Sequence, residues 1–393
     1  MEAMPLRSRL LELAVVFLRL GAIGFGGPAA HIALMEGELV RKRRWLTPEA
    51  FLDLVGAVNL IPGPNSTEVA IHIGRLRAGF PGLVVAGVAF ILPAFCTVLA
   101  IAWAYQRVGR LPETAALLHG IKPVVLVIIV HALVGLARTA VKNIRWAVAG
   151  AAAFAANLIW PLDEVFILLA IGAGAGLVAW RTSRDNRSVS LAAVPPLALA
   201  IAPLAQAGGA AAPIALSSLF LVFLKVGSLL FGSGYVLLAF LRADLVERLG
   251  WLTNAQLLDA LAVGQVTPGP LFTTATFIGY TLAGLSGAVV ATVAIFLPAF
   301  VFVAISGPIV SIVRRFPIAA ALLDGVNVGS LALMAAVTVT LARDALSDPM
   351  AFAIAAATAI LLFRFRTDPT LLIAAGGLVG WVVEIGLPGS TLW

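Results

Sequence analysis

The chain has 393 residues, 61% of them hydrophobic and 11% charged, with 37 Gly and 22 Pro, and a mean hydropathy of +1.05. A soluble chain carries about 25% charged residues, so a water-soluble domain is excluded, and apolar runs longer than about 17 residues exclude an outer-membrane barrel in favour of a helical bundle. The net charge of +7 is not the footprint of a nucleic-acid partner: the basic residues flank apolar runs, as Arg41, Lys42, Arg43 and Arg44 do, and again Arg181, Arg184 and Arg187, which is how a multi-pass protein marks its cytoplasmic loops.

The segment after Arg9 runs on into Gly-rich sequence without a small-residue cleavage pattern, so it reads as helix and not as a cleaved signal. A long helix is predicted from about residue 10 to 35, followed by a basic loop and two short apolar pieces, 47 to 61 and 65 to 76, separated by Pro62-Gly63-Pro64. At about 1.5 Å per residue neither piece spans a hydrocarbon core of about 30 Å. Basic residues on both flanks, Arg41 to Arg44 before and Arg75 and Arg77 after, favour a re-entrant hairpin over one interrupted span. Spans follow at about 80 to 104, 113 to 137, 145 to 160 and 164 to 180. The single cysteine, Cys96, lies in one of these runs and offers neither an intrachain disulfide nor a cysteine-based metal site. A polar stretch, Arg181 to Ser190, and a Pro-rich apolar piece, Leu191 to Ala207, either a linker helix or a re-entrant segment, lead to a second unit from about 213 to 386.

The second unit repeats the first. Residues 17 to 74 match residues 223 to 280 at an offset of 206, with Trp45-Leu46-Thr47 on Trp251-Leu252-Thr253, Asp53 on Asp259 and Pro62-Gly63-Pro64 on Pro268-Gly269-Pro270. After one deletion the offset is 205, with Leu92-Pro93-Ala94-Phe95 on Leu297-Pro298-Ala299-Phe300 and Gly120 on Gly325. The predicted organisation is all-α and polytopic: repeats 1–180 and 213–393 joined by a linker 181–212, each repeat with about five spans plus a broken re-entrant hairpin. Basic residues sort to one side if the second copy is inverted, with Arg314, Arg315, Arg364 and Arg366 inside and Arg242, Arg248 and Arg343 outside. Parallel repeats are the alternative.

Short helices broken by Pro and Gly at equivalent places in two repeats point to a transporter's substrate site. Proline ends the helix, and the next half-helix starts inside the membrane with free N–H groups and a positive dipole end. Asn65, Ser66 and Thr67 after the first break, and Thr273 and Thr274 after the second, add neutral donors for oxyanion oxygens. Gly26 and Gly27 in the first helix, and Gly232 and Ser233 in the second copy, either expose amides to the same ligand or serve close helix packing. Arg19 and Lys225 form a matched pair of intramembrane cations, either counter-charge for an anion or side chains that snorkel to the interface or pair with Asp53 or Asp259. Asp53, Asp259, Glu68, His72 and Lys122 are candidates for proton coupling or gating. Glu68 and His72 occur only in the first repeat, and their structural alternative is a Glu68–His72 or Glu68–Arg75 pair. His119, Asp324 and Asn327 are secondary candidates for lining the path, while His31 and His131 read as core histidines.

No zinc, nucleotide or nucleophile motif is present in the sequence, so no cofactor or metal is expected and the energy comes from ion or substrate gradients. Three classes remain: a gradient-driven anion carrier, a passive anion pore, and an intramembrane lipid-acting enzyme built on Asp53, Glu68 and His72. Gly24-Phe25-Gly26-Gly27-Pro28, the basic loop ending in Trp45-Leu46-Thr47, Asn59-Leu60-Ile61-Pro62-Gly63-Pro64, and the second-copy Phe231-Gly232-Ser233-Gly234 with Gln265-Val266-Thr267-Pro268-Gly269-Pro270 resemble the chromate ion transporter family in its long, two-repeat form. The resemblance covers essentially the whole chain. It implies secondary active export of chromate across the cell (inner) membrane, with sulfate as a competing dianion and chromate resistance as the outcome. The expected partners are these oxyanions, protons and membrane lipid, with the chain a monomer or homodimer. Lys225 in place of Arg and Gly-Ser-Gly in place of Gly-Gly-Pro depart from the first copy, which implies unequal roles for the two halves.

Overall fold

The computed structural model describes residues 5–183 and 214–386, except 59–60, 110, 160–163, 231–233 and 314–316. All regular structure among the described residues is helical. The first repeat contains α1 (Leu6–Ile23), α2 (Gly27–Met35) continued by a wide π-helical segment (Glu36–Lys42), α3 (Pro48–Val58), α4 (Asn65–Val108), α5 (Pro112–Ala140), α6 (Ile144–Ile159) and α7 (Glu164–Ser183). The second follows the same plan with α8 (Leu216–Leu229), α9 (Leu237–Leu241) continued by Arg242–Arg248, α10 (Asn254–Val266), α11 (Thr274–Val313), α12 (Pro317–Ala345), α13 (Pro349–Phe365) and α14 (Pro369–Gly386). Asn65–Val108, Pro112–Ala140, Leu271–Ile305 and Ala321–Ala345 are long and apolar enough to cross a membrane.

Helix α4 is two antiparallel arms folded at Ala78 and Gly79, and α11 is folded in the same way at Ala283 and Gly284. The arms touch backbone to backbone: a Cβ on Gly74 would lie 2.2 Å from the Gly82 carbonyl oxygen, and one on Gly279 2.3 Å from that of Gly287. These contacts put the deletion between the repeats inside the short arm, before residue 74. The second copy compensates by opening with a tighter 3-10 turn, Leu271–Thr273.

The predicted hairpin over 47–76 is present. Arg43 and Arg77, on either side of it, both reach the carboxylate of Glu12, at 2.9 and 3.0 Å, and Arg9 donates to the Arg77 carbonyl. We call the surface bearing these arginines the basic face. The same contacts revise the helix predicted over 10–35. Glu12 lies about 18 Å before Gly24 along α1, yet it meets Arg43 beyond the break, so α2 folds back beside α1. Gly26 and Gly27, at φ 93° and 79°, permit the reversal. Each repeat therefore opens with two re-entrant hairpins and continues through four apolar helical segments.

The copies are inverted. Gln106, at the far end of α4, donates to the carbonyls of Tyr280 and Thr281 in the second repeat's hairpin turn, which puts that turn on the face opposite Arg77. Helices α5 and α12 run antiparallel: Lys142 near the end of α5 pairs with Asp324 near the start of α12 at 2.6 Å, and His119 near the start of α5 meets Asp348 just beyond α12 at 2.6 Å. The last helix of each repeat packs on the other repeat, α7 on α12 and α14 on α5. The apolar piece 191–207 lies outside the described residues, as do Arg314 and Arg315. Cys96 is exposed on α4.

Candidate functional site

The two Pro-Gly-Pro tips enter from opposite faces and meet the Gly-rich breaks of the other repeat. Gly63 donates its amide hydrogen to the Leu230 carbonyl at 2.7 Å, and Gly269 donates to the Gly24 carbonyl at 2.7 Å. Both bonds relate to each other by the repeat offset of 206. Interrupted helices leave unpaired carbonyls in the membrane interior, where no water satisfies them, and here each break supplies what the other lacks.

A cavity of about 120 Å³ lies at this crossing. It is lined by four repeat-related pairs, Pro28 with Gly234, Pro64 with Pro270, Asn65 with Leu271 and Ser66 with Phe272, and by Leu136. The cavity therefore sits on the axis relating the repeats. The starts of α2, α4 and the turn Leu271–Thr273 border it, and none of them has a side-chain cap. Helix starts of this kind carry uncapped first-turn amides and a positive dipole end. The side-chain polarity of the cavity comes from one copy alone, from Asn65 and Ser66.

Behind Ser66 stands His31, 1% exposed. Its Nε2–H donates to the Gly24 carbonyl at 2.9 Å, and in that neutral tautomer Nδ1 accepts from the Ser66 hydroxyl at 3.1 Å. His31 is thus a satisfied buried histidine, and it also joins both breaks of the first repeat. The positions matching His31 and Ser66 are Leu237 and Phe272, so this link is one-sided. Glu68 follows on the same half-helix with 0% exposure, and among the described residues neither of its carboxyl oxygens has a hydrogen-bond partner, nor does the buried Thr67 hydroxyl. A Cβ on Gly63 would lie 2.4 Å from Glu68 Oε1, so the carboxyl lies directly under the tip.

A vestibule of about 610 Å³ opens elsewhere, lined by Arg242, Arg248, Arg343, Glu164, Asp244 and Glu247 among others. Deep in it Asp244 accepts from Lys225 at 2.9 Å and pairs with Arg248 at 2.8 Å.

The family model described as chromate transporter matches residues 11–177 and again 217–381. The chain belongs to the chromate transporter family. It is 32% identical over 380 residues to a chromate transport protein of Cupriavidus metallidurans, covering 95% of this chain and 93% of that one. To a chromate transport protein of Pseudomonas aeruginosa it is 33% identical over 395 residues, covering 97% and 94%. No solved structure matches the chain. Family membership makes it a membrane transporter and not an enzyme, and the double match follows the two repeats.

The residues singled out in this transporter's sequence divide into several groups. Asn65 and Ser66 line the axial cavity, Thr67 and Glu68 are buried beside it, and Pro62, Gly63, Pro64, Pro268, Gly269 and Pro270 build it. Thr273 and Thr274 turn back, donating to the Pro270 and Leu271 carbonyls at 2.8 Å. Gly26 and Gly27 shape the first break, whereas Gly232 and Ser233 lie outside the described residues. Arg19 is exposed and Lys225 is held by Asp244, a partner not anticipated; neither lines the axial cavity. The Glu68–His72 and Glu68–Arg75 pairs do not form, since His72 bonds the Glu68 backbone carbonyl and Arg75 the carbonyl of Val303. At the two ends of the α5–α12 contact His119 hydrogen-bonds Asp348 and Asp324 pairs with Lys142. Asp53 is exposed, while Asp259 is buried between Tyr105 and Lys122. The sequence reading missed Tyr105 and Asp244, and undervalued His31.

Proposed function

We propose that this chain is a secondary active transporter carrying chromate out of the cytoplasm, with sulfate accepted as a related tetrahedral dianion, by alternating access around the axial cavity. The observation that carries the reading is the pairwise lining of that cavity by repeat-related residues at uncapped helix starts. A site on the axis is shared equally by two inverted halves, so rocking one half against the other exposes it to either face in turn. Each helix start contributes about 0.3–1 kcal/mol toward an anion, more where water is excluded. Amide and hydroxyl donors grip tetrahedral oxygens without sensing the central atom, which fits acceptance of both dianions.

Orientation follows from charge. Arg41 to Arg44, Arg138, Arg145, Arg364 and Arg366 gather on the basic face, which is then cytoplasmic in the inner membrane. The functional unit comprises repeats 1–180 and 213–393 with the linker 181–212. Coupling is assigned to Glu68. An ionised carboxylate without a partner in this setting costs several kcal/mol, so the group carries its proton in this conformation and releases it when a turnover step exposes it to water. The relatives named above are described as chromate transport proteins, which supports the substrate. In everted vesicles, chromate uptake above equilibrium that collapses with the pH gradient is expected. Uptake that stops at equilibrium identifies a passive pore, and uptake indifferent to the gradient removes the proton.

A further inference from the structure

The two inverted halves pack unequally. On the far face α9 and α10 lie against α12, and α10 also against α5 and α14, burying Leu257, Leu258 and Leu261. On the basic face the corresponding α2 and α3 make no comparable packing against α5 among the described residues. Of α3 only Phe51 and Val58 are buried. No residue of α5 from His131 to Ala140 is buried, whereas the matching stretch of α12 buries Ala336, Val337, Thr338, Leu341 and Ala345. The axial cavity reaches Leu136, while its counterpart Leu341 is 0% exposed. Taken together, the axial cavity extends toward the basic face and does not reach the far one, where Ala336 and Val337 instead form part of the wall of the separate vestibule.

A polar network crosses between the repeats within this far-face packing. The Tyr105 hydroxyl at the end of α4 donates to Asp259 Oδ2 on α10 at 2.9 Å, and Lys122 Nζ on α5 lies 3.4 Å from Asp259 Oδ1. Asp259 is 5% exposed, so the pair acts where screening is weak. The matching positions on the basic face are Val310, Asn327 and Asp53: the aspartate is retained, but the phenol and the cation are not. The basic face thus cannot be closed by the same chemistry.

We propose that Tyr105, Lys122 and Asp259 form a one-sided latch that holds α10 shut on the far face and releases it at turnover, so that the empty carrier rests open to the face from which it loads. This rests on the alternating-access reading above. An interaction present in one of two conformations shifts their populations toward that one. Removing it moves the empty carrier toward the far-face-open state.

Leu136 and Leu341 are repeat-related reporters for the two openings. In a Cys96→Ala background, Leu136→Cys is expected to react with a membrane-impermeant maleimide from the basic face and Leu341→Cys to be protected. Adding Asp259→Asn should raise the Leu341→Cys labelling rate about tenfold from the far face and slow Leu136→Cys. Tyr105→Phe, which removes one hydrogen bond and little volume, should act in the same direction more weakly. The exchange of Lys122→Asp with Asp259→Lys should restore protection, which a lost packing contact would not do. Labelling unchanged by both Asp259→Asn and Tyr105→Phe overturns the latch. If instead both cysteines react equally in the parent, or from the same face, the alternating-access reading itself fails, and that outcome is separate from the behaviour of the latch variants.

Discussion

The amide of Gly63 and the carbonyl of Leu230 are joined at 2.7 Å across the boundary between the repeats, and Gly269 and Gly24 repeat the bond at the same length. This exchange explains why four helix breaks persist in a membrane protein. A single break would expose backbone groups to hydrocarbon at several kcal/mol each, whereas crossed breaks satisfy one another and leave the following helix starts bordering a common cavity.

The tips should tolerate no side chain. Gly63 has φ 145° and Gly269 φ 96°, conformations that cost other residues about 1–3 kcal/mol. An added Cβ would lie 2.4 Å from Glu68 Oε1 at the first tip and 2.7 Å from the Ala94 Cβ at the second. Gly63→Ala and Gly269→Ala are each expected to lower chromate uptake more than tenfold per inserted protein. Gly37→Ala, where nothing lies within 4 Å, should leave uptake unchanged. Equal effects at all three would separate the tips from transport.

Glu68→Gln keeps the size of the side chain and removes the exchangeable proton. Uptake in everted vesicles should lose its dependence on the pH gradient, while chromate equilibration down its own gradient continues. A variant that still concentrates chromate when a pH gradient is imposed would show that another group carries the proton.

His31 joins the first break to Ser66. His31→Ala leaves the Gly24 carbonyl and the Ser66 hydroxyl without the ring, and a cost of about 1–3 kcal/mol is expected. In thermal unfolding in detergent, the effects of His31→Ala and Ser66→Ala should be less than additive, because each removes the same bond. Additive losses would mean that the two residues act separately.

At the basic surface the Arg43 guanidinium, with Lys42 assisting and burial opposing, holds the Glu38 carboxyl below its usual range. For a depressed acid, the stabilisation is fully present above the unfolded value of about 4.3 and is lost as pH falls through the folded one. Glu38→Gln should therefore be less stable than the parent by about 1 kcal/mol at pH 7. The difference should hold down to pH ~4 and shrink progressively below it; a difference that stays constant well below that pH would contradict the assignment.

Much of this architecture is legible in the sequence because it is written twice. The repeats, the hairpin at Pro62-Gly63-Pro64 and the inversion follow from register and from the flanking arginines, which respond to membrane topology alone. The reversal at Gly24-Phe25-Gly26 is hidden by hydropathy, since a hairpin with two apolar arms reads as one long apolar run. The fate of Lys225 is hidden too: its partner Asp244 is 19 residues on and meets it only because that hairpin closes. Tyr105 joins Asp259 across 154 residues, a distance that no local pattern records.

The central claim is that the substrate site lies on the axis between the repeats. Tungstate, a heavy tetrahedral dianion, can be located by its strong scattering in a structure determined with it bound. Density within hydrogen-bonding distance of Asn65 and Ser66, between them and Leu271 and Phe272, is the expected result. Density confined to the vestibule of Arg242, Arg248 and Arg343, with the axial cavity empty at saturating tungstate, would contradict it.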